Sequence, residues 1–415
     1  MDNSYFEKKE CRICGSNNLV KYFNLGKIPL VNSLRDPKDE SIEEKFPLEV
    51  MLCNDCFNSQ LSIVVKPEIM FSNYLYHSSV SKTFKEHCTK MTEKVKEIFN
   101  GGEEIKILDI ASNDGCLLNE FKEKGFKVLG IEPAKNLSET ANSKGITTIN
   151  EFWNSETSKK VVGGHGKMQV ITATNVLAHV DDINMFIGDV YETLSDDGVF
   201  IAEFPYMANL VKYDEFDTIY HEHLSYFLVK PLMLLFNKNN LQIYDIGEFG
   251  IHGGTIRIYA GKDGNKILKK NQGRINEFIE NETKEGLYTI EPYRRLEENA
   301  NKIKSRVIEN FKELKSSGSK IAGYGASAKG NVFLNFCGLT NEEIDFIIDD
   351  TPQKQGFISP GSQIPIKSRE FLNNENVDYL MLLAWNFAEE LMKKTEEFKL
   401  KGGKYILAIP EMKII

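Results

Sequence analysis

Apolar residues recur along this chain with two periods, and the places where one gives way to the other lay out the elements. In "TFKEHCTKMTEKVKEIFNGG", Phe84, Cys88, Met91, Val95 and Ile98 fall three and four apart, so they line one helical face ahead of Gly101 and Gly102. Buried-strand and helix patterns then alternate: "IKILDIA", "CLLNEFKEKG", "KVLGIEP", "NLSETANSKG", "ITTIN", "MQVITATN", "INMFIGDVYETLSDDG" and "VFIAEFP". That alternation predicts a doubly wound, largely parallel sheet. An irregular stretch holding "YHEHLSYF" (220–227) leads to strand-like "LQIYDIGEFG" and "GGTIRIYAG", then to a charged helical region over about 266–316. A second alternation opens at "KIAGYGASAKGN", with "IDFIIDD", "VDYLMLLAW" and "YILAIP" as further buried strands. The first 65 residues show little periodicity but hold two cysteine pairs.

The pattern predicts an α/β protein in four parts. A small N-terminal cysteine-pair module spans 1–68, a Rossmann-like domain 69–262, a helical connector 263–316 and a second Rossmann-like domain 317–415.

Composition narrows the partners. A net charge of −9 argues against nucleic acid, whose phosphates need a basic surface. No apolar run approaches a membrane span and "MDNSYFEKKE" lacks a signal peptide's apolar segment, so a cytoplasmic protein is expected. Seven cysteines in such a chain read as reduced thiols rather than a disulfide framework.

Cys11 and Cys14, then Cys53 and Cys56, form two Cys-x-x-Cys knuckles separated by 38 residues. Four thiolates suit tetrahedral zinc, and a short segment with few large apolar side chains gains stability from such a metal. A redox role needs only one pair, on a thioredoxin-like unit. With four cysteine ligands no coordination position stays open, so this zinc is expected to be structural.

The loop after "ILDIA" carries the cofactor chemistry. Asp109 lies near the end of its strand, Asn113, Asp114 and Gly115 follow, and Glu132 ends the next strand, where an acid hydrogen-bonds a ribose. NAD and S-adenosylmethionine (SAM) both fit that outline. However, "ASNDGC" lacks G-x-G-x-x-G, and its acid and amide are poor hosts for pyrophosphate and good hosts for a cationic methionine portion. "GYGASAKGN" does satisfy G-x-G-x-x-A through Gly323, Gly325 and Ala328, with Asp349 and Asp350 ending the following strand and Lys329 adding positive charge. It reads either as a diphosphate site at a helix N-terminus or as a tight strand–helix turn.

In "YHEHLSYF" an extended chain would place His221 and His223 on one face, and Tyr220, Glu222 and Leu224 on the other. Histidine is the usual proton-transfer group at neutral pH, while His-x-His can also bind metal, with His179 as a third ligand. His179 follows the fourth strand of the first sheet, where ligands bind. Tyr74, Tyr76 and His77 precede the first long helix, either capping a site or packing.

Taken in order, "CRIC", "CNDC", "LDIASNDGCLL", "NVLAHVDD", "EFPY", "YHEHLSYF", "HGGTIRIY", "GASAKGN", "KQGFISPGSQIPI" and "LLAWNFAEE" resemble the three-domain C-methyltransferases of nucleotide-linked keto-deoxysugars. The likeness spans nearly the whole chain. It implies an N-terminal zinc module, a central SAM domain and a C-terminal domain that helps to hold the sugar nucleotide. The sequence leaves the oligomeric state open, although two nucleotide-type domains could suffice in a monomer. The resemblance also implies methylation at C3 of a 4-keto sugar: a base removes the C3 proton, and the resulting enediolate attacks the sulfonium methyl in line. By that resemblance His223 is the base, Tyr220 and Glu222 orient it or stabilise the oxyanion, and His179 and Tyr76 relay the proton. Asp109, Asn113, Asp114, Gly115, Glu132, Pro133, Phe152 and Asn175 would surround the cofactor, with Phe152 against adenine. Tyr324, Lys329 and Asn331 would serve the nucleotide sugar, with Lys329 on phosphate. Departures from the family pattern are Ala111 where glycine is usual, Ser327 for proline, Gln363 for histidine, and no glycine-histidine after the second knuckle. An NAD-dependent sugar-nucleotide oxidoreductase and an O- or N-methyltransferase are the competing readings.

Overall fold

A computed structural model describes residues 4–72, 74, 77–100, 104–251 and 253–415. At its centre lies a seven-stranded sheet: β1 (Lys106–Ile110), β2 (Lys127–Ile131), β3 (Thr148–Ile149), β4 (Met168–Thr174), β5 (Leu194–Pro205), β6 (Leu241–Phe249) and β7 (Thr255–Lys262). Its order is β6-β7-β5-β4-β1-β2-β3; β1 to β5 run parallel, and β7 runs antiparallel to both β5 and β6. In β1, Ile107, Leu108, Asp109 and Ile110 are all buried, as expected of a strand covered on both faces. One cover is the helix Lys82–Ile98, whose Phe84, Cys88, Met91 and Val95 pack with helix Cys116–Glu123. That helix starts where the Ser81 hydroxyl accepts the Phe84 N–H. Gly101 and Gly102, the expected stop, lie outside the described residues. Strand order reverses between β1 and β4, so the crevice at their carboxyl ends is where such a sheet binds ligands.

The N-terminal module is more regular than its sequence. Strands Leu19–Ile28, Phe46–Cys53 and Ser59–Leu61 form an antiparallel sheet whose fourth strand, Ser225–Tyr226, comes from "YHEHLSYF". Two register shifts in the first pairing break the alternation of polar and apolar residues that would have marked these strands.

The C-terminal unit has six strands in the order Ile366–Lys367, Phe346–Ile348, Ile321–Tyr324, Tyr379–Leu382, Lys404–Leu407 and Lys413–Ile414, the last antiparallel. Its switch point lies between Ile321–Tyr324 and Tyr379–Leu382. The connector is two helices, Gln272–Lys284 and Glu291–Ser316; Leu296, Ala300, Ile303, Val307 and Phe311 of the second are buried along one stripe.

The irregular stretch also holds the helix Val229–Lys238, hidden in the sequence by Pro231. Proline in a helix's first turn removes no hydrogen bond, so it breaks nothing there. No helix among the described residues is long and apolar enough to cross a membrane.

Candidate active site

The four knuckle thiols converge. Cys11 and Cys56 Sγ lie 3.4 Å apart, Cys14 and Cys53 Sγ 3.6 Å apart, and all four fall within 4.8 Å of one another. Four sulfurs around zinc at the usual bond length stand about 3.8 Å apart, so the set fits a closed tetrahedral site. They form the only such metal-ligand group among the described residues; His221, His223 and His179 do not make one. The first knuckle also grips the central domain. Arg12 donates through Nε to Asp181 (3.1 Å) and through Nη1 to the Leu61 carbonyl (2.9 Å), and Asn184 donates to the Arg12 carbonyl (2.7 Å).

At the switch point the loop after β1 turns through three left-handed residues, Ala111 (φ 54°), Asn113 (φ 53°) and Gly115 (φ 79°). Glu132, just past β2, accepts the backbone N–H groups of Asn113 and Ala134, each at 2.8 Å, and burial raises its pKa. Each of its oxygens keeps a lone pair for a ribose hydroxyl. Asp109 accepts the Thr172 hydroxyl at 2.6 Å, and burial pushes its carboxyl up to about 7. Around this crevice Ser112 Oγ, Asp114 Oδ1, Thr174 Oγ1 and Asn175 Oδ1 are buried without a protein partner. Native proteins rarely leave such atoms unbonded, so the crevice is suited to a polar ligand. Among the described residues, three carboxyl groups against the cation Lys144, 3.2 Å from Asp114, suit the cationic methionine end of SAM and not a pyrophosphate. Asn175 is itself left-handed (φ 57°) and its N–H donates to the Glu203 carbonyl at 2.8 Å. The Pro133 carbonyl accepts from Asn150 (2.9 Å), and Phe152 lies half-buried just beyond β3.

Part of the segment before the first long helix caps this loop, while its Tyr74 turns to Glu222. Ser78 N–H donates to Asn113 Oδ1 (3.0 Å), the Ser79 hydroxyl donates to Asp114, and His77 stands 3.9 Å from Asp114. Tyr76 lies outside the described residues.

Ala111 carries a testable cost. A β-carbon in the left-handed region is strained by about 1–2 kcal/mol, partly offset in glycine by greater chain entropy. Ala111→Gly is therefore expected to stabilise the protein by about 0.5–1 kcal/mol. In urea unfolding this appears as a higher midpoint at unchanged slope.

Beyond β4 the chain makes a short turn, Leu177–His179, and brings His179 to His223, ring centroids 5.0 Å apart. Residues 220–224 are not extended. His223 N–H donates to the Tyr220 carbonyl (2.9 Å), which closes a turn and sends the two histidines apart. His221 donates through Nε2 to the Pro47 carbonyl (3.2 Å) and packs edge-on against Phe46, inside the zinc module. His223 donates through Nδ1 to the Thr218 carbonyl at 2.8 Å. That bond fixes the tautomer and leaves Nε2 with a free lone pair. Burial lowers its pKa well below the ordinary value, helped by His179 and Lys329 nearby. Burial likewise lowers His179 to about 4. Tyr220 lies over the His223 ring at 4.0 Å, and Tyr226 stands edge-on at 6.4 Å.

Glu222 faces away from His223. It accepts from Asn32 (2.5 Å) and the Tyr74 hydroxyl (3.0 Å), and burial raises it to about 7. Of the three residues expected to serve the nucleotide sugar, only Lys329 reaches this cluster: its ammonium stands 3.5 Å from Glu215 and 4.9 Å from the Trp385 ring. The Tyr324 hydroxyl donates to Asp350 (3.0 Å), and Asn331 donates to the Val31 carbonyl of the zinc module (2.7 Å). Gly325 has a steric reason of its own: at φ 95°, a β-carbon there would meet that of Ala384 at 2.8 Å. Ser327 caps its helix, its hydroxyl accepting the Gly330 N–H.

Sequence reasoning missed Asn32, Thr218, Asp217 and Trp385. Thr218 acts through a backbone carbonyl, which leaves no mark in a sequence.

Three family models match the chain in series. A zinc-binding domain covers 11–71, a methyltransferase domain 84–246, and a C-methyltransferase C-terminal domain 250–410. Over 407 residues the chain is 33% identical to the C-methyltransferase NovU of Streptomyces niveus, covering 98% of this chain and 96% of NovU. Similar solved structures include PH0226 of Pyrococcus horikoshii OT3, at 12% identity and TM-score 0.36, covering 48% of this chain and 97% of that one. Magnesium protoporphyrin IX methyltransferase of Synechocystis PCC 6803 with bound SAM is similar at 12% identity and TM-score 0.32, covering 42% and 79%. With zinc and SAM as its cofactors, the chain belongs to the SAM-dependent C-methyltransferase family that includes NovU.

Proposed function

We propose that the protein methylates C3 of a nucleotide-linked 4-keto-deoxysugar, in deoxysugar biosynthesis. SAM supplies an electrophilic methyl group; a sugar carbon becomes nucleophilic only after losing a proton, and the adjacent C4 carbonyl makes that proton acidic. The observation that carries this reading is the His223 ring, fixed through Nδ1 on the Thr218 carbonyl, with Nε2 unprotonated and buried. A methyl transfer to oxygen or nitrogen has less need of so confined a base.

In this scheme His223 Nε2 takes the C3 proton, and a positioned base of this kind contributes about 10²–10⁴-fold. Tyr220 is assigned to the enediolate oxygen, since its ring already lies on His223. His179, next to His223, and Tyr76 take the proton onward. Glu222 supports the turn through Asn32 and Tyr74 rather than by touching the base. Asp109, Asn113, Asp114, Gly115, Glu132, Pro133, Phe152 and Asn175 are assigned to SAM. Lys329, Tyr324 and Asn331 are assigned to the sugar nucleotide's side of the site.

A C4 carbonyl acidifies C5 as well as C3, so the test must tell these apart. The enzyme is incubated in D2O with a thymidine diphosphate 4-keto-6-deoxyhexose and S-adenosylhomocysteine, and exchange is followed by NMR. Deuterium entering C3 faster than without enzyme is the expected result. Entry at C5 alone would move the methylated position, and entry at neither carbon would return the reaction to oxygen or nitrogen.

A further inference from the structure

Four consecutive residues just before "YHEHLSYF" tie the base to the C-terminal unit. Glu215 faces Lys329 (3.5 Å). Phe216, fully buried, packs against Phe333 (6.1 Å) and Phe336 (5.1 Å) of the C-terminal helix Ala328–Cys337 and Phe23 (6.4 Å) of the zinc module. Asp217, also fully buried, accepts the Trp385 indole N–H at 2.6 Å, and its other oxygen has no partner. Thr218 then gives its carbonyl to His223 Nδ1. Trp385 sits at the switch point of the C-terminal sheet, just past the strand Tyr379–Leu382, and its ring underlies Lys329.

We propose that Asp217 and Trp385 are positioning residues for the base: their hydrogen bond holds the turn 215–218 so that the Thr218 carbonyl keeps His223 Nε2 as the proton acceptor. This rests on His223 being the base. Loss of the indole bond would leave a buried carboxyl unpaired and free the turn to shift or admit water. Either change lets His223 sample the other tautomer, with Nε2 carrying the proton, and returns its titration toward that of a solvated imidazole. Among the described residues, the titratable groups near His223 are His179 from the central sheet, Tyr220 and Tyr226 from its own segment, and Lys329 from the C-terminal helix. Glu215 and Asp217 stand beside Lys329, and Tyr22 and Arg12 of the zinc module beside Tyr226. None of these but Lys329 moves with the C-terminal unit, so the clasp also makes the state of the base depend on that unit's docking.

Trp385→Phe keeps an aromatic ring over Lys329 and removes only the donor. In the full zinc-loaded chain, with SAM and the same 4-keto-6-deoxyhexose nucleotide, kcat is expected to fall about tenfold with KM for SAM unchanged. The acidic limb of its pH profile should move up toward ~6.5. Asp217→Ala should reproduce both effects. Asp217→Asn, whose amide oxygen still accepts the indole proton, should restore both, and Trp385→Phe with Asp217→Ala should be no worse than either alone. An acidic limb that stays in place in Trp385→Phe, at any melting temperature, overturns the positioning role. Failure of the base assignment looks different: His223→Asn would then still wash deuterium into the substrate.

Discussion

His223→Asn is expected to lower kcat by about 10²–10⁴-fold and to abolish enzyme-dependent exchange of the sugar proton. Affinity for SAM should be unchanged by calorimetry, because the loop assigned to SAM is held through Glu132 and not through His223. Asparagine is the informative replacement. Its amide N–H occupies the place of Nδ1 and can still donate to the Thr218 carbonyl, so the turn survives while the Nε2 lone pair is lost. The pH profile of the native enzyme follows from the same burial. A histidine held well below its ordinary pKa is already neutral at pH 7, so protonation of the base limits the rate only in acid. If His223→Asn kept its rate within a few-fold of native, the base would lie elsewhere, and His179, 5.0 Å away, would be next to test.

What the chain shows of itself in sequence, and what it hides, divides by range. The strands Lys106–Ile110, Lys127–Ile131 and Met168–Thr174 stand out because apolar residues dominate each, and Asp109 and Glu132 because each is an acid at the carboxyl end of such a segment. Cysteine spacing alone identifies the metal set, since four ligands in two knuckles need no knowledge of the path between them. The octapeptide fails as a strand for the opposite reason. Alternation of faces holds only if the backbone is extended, and here a Tyr220–His223 turn is imposed from a distance. Leu224 N–H donates to the Ala178 carbonyl at 2.7 Å, and the Leu61 N–H donates to the Leu224 carbonyl at 3.0 Å. Asn32 and Glu222, partners at 2.5 Å, are 190 residues apart, and Asp217 and Trp385 168. No local pattern announces such pairs.

Those same distant contacts make zinc matter to a reaction in which it takes no chemical part. Removing the metal by chelation, or replacing Cys56 with serine, is expected to unfold the N-terminal sheet and cost kcat on the order of 10²-fold or more. Structural zinc contributes about 10–16 kcal/mol in small fingers, against about 5–15 kcal/mol for the whole stability of a typical domain. The module buries apolar side chains of its own, Phe23, Leu48, Val50 and Leu61 among them, but that packing is small beside a loss of this size. Its loss reaches His223 from two sides. Strand Ser59–Leu61 is the pairing partner of Ser225–Tyr226, two residues past His223, and Arg12 of the first knuckle ties Leu61 to Asp181, two residues past His179. Misplacing a base by about 1 Å is enough for a hundredfold loss. The crevice assigned above to SAM, by contrast, is built on β1, β2 and β4, and its loop is held by Glu132 and by Ser78 and Ser79. Metal-free protein should therefore still bind SAM within about tenfold of native affinity while failing at methyl transfer, a split that calorimetry and a product assay on one sample resolve. Full activity after verified loss of zinc by mass spectrometry would show that the module is an appendage, and that the base is held by the central and C-terminal sheets alone.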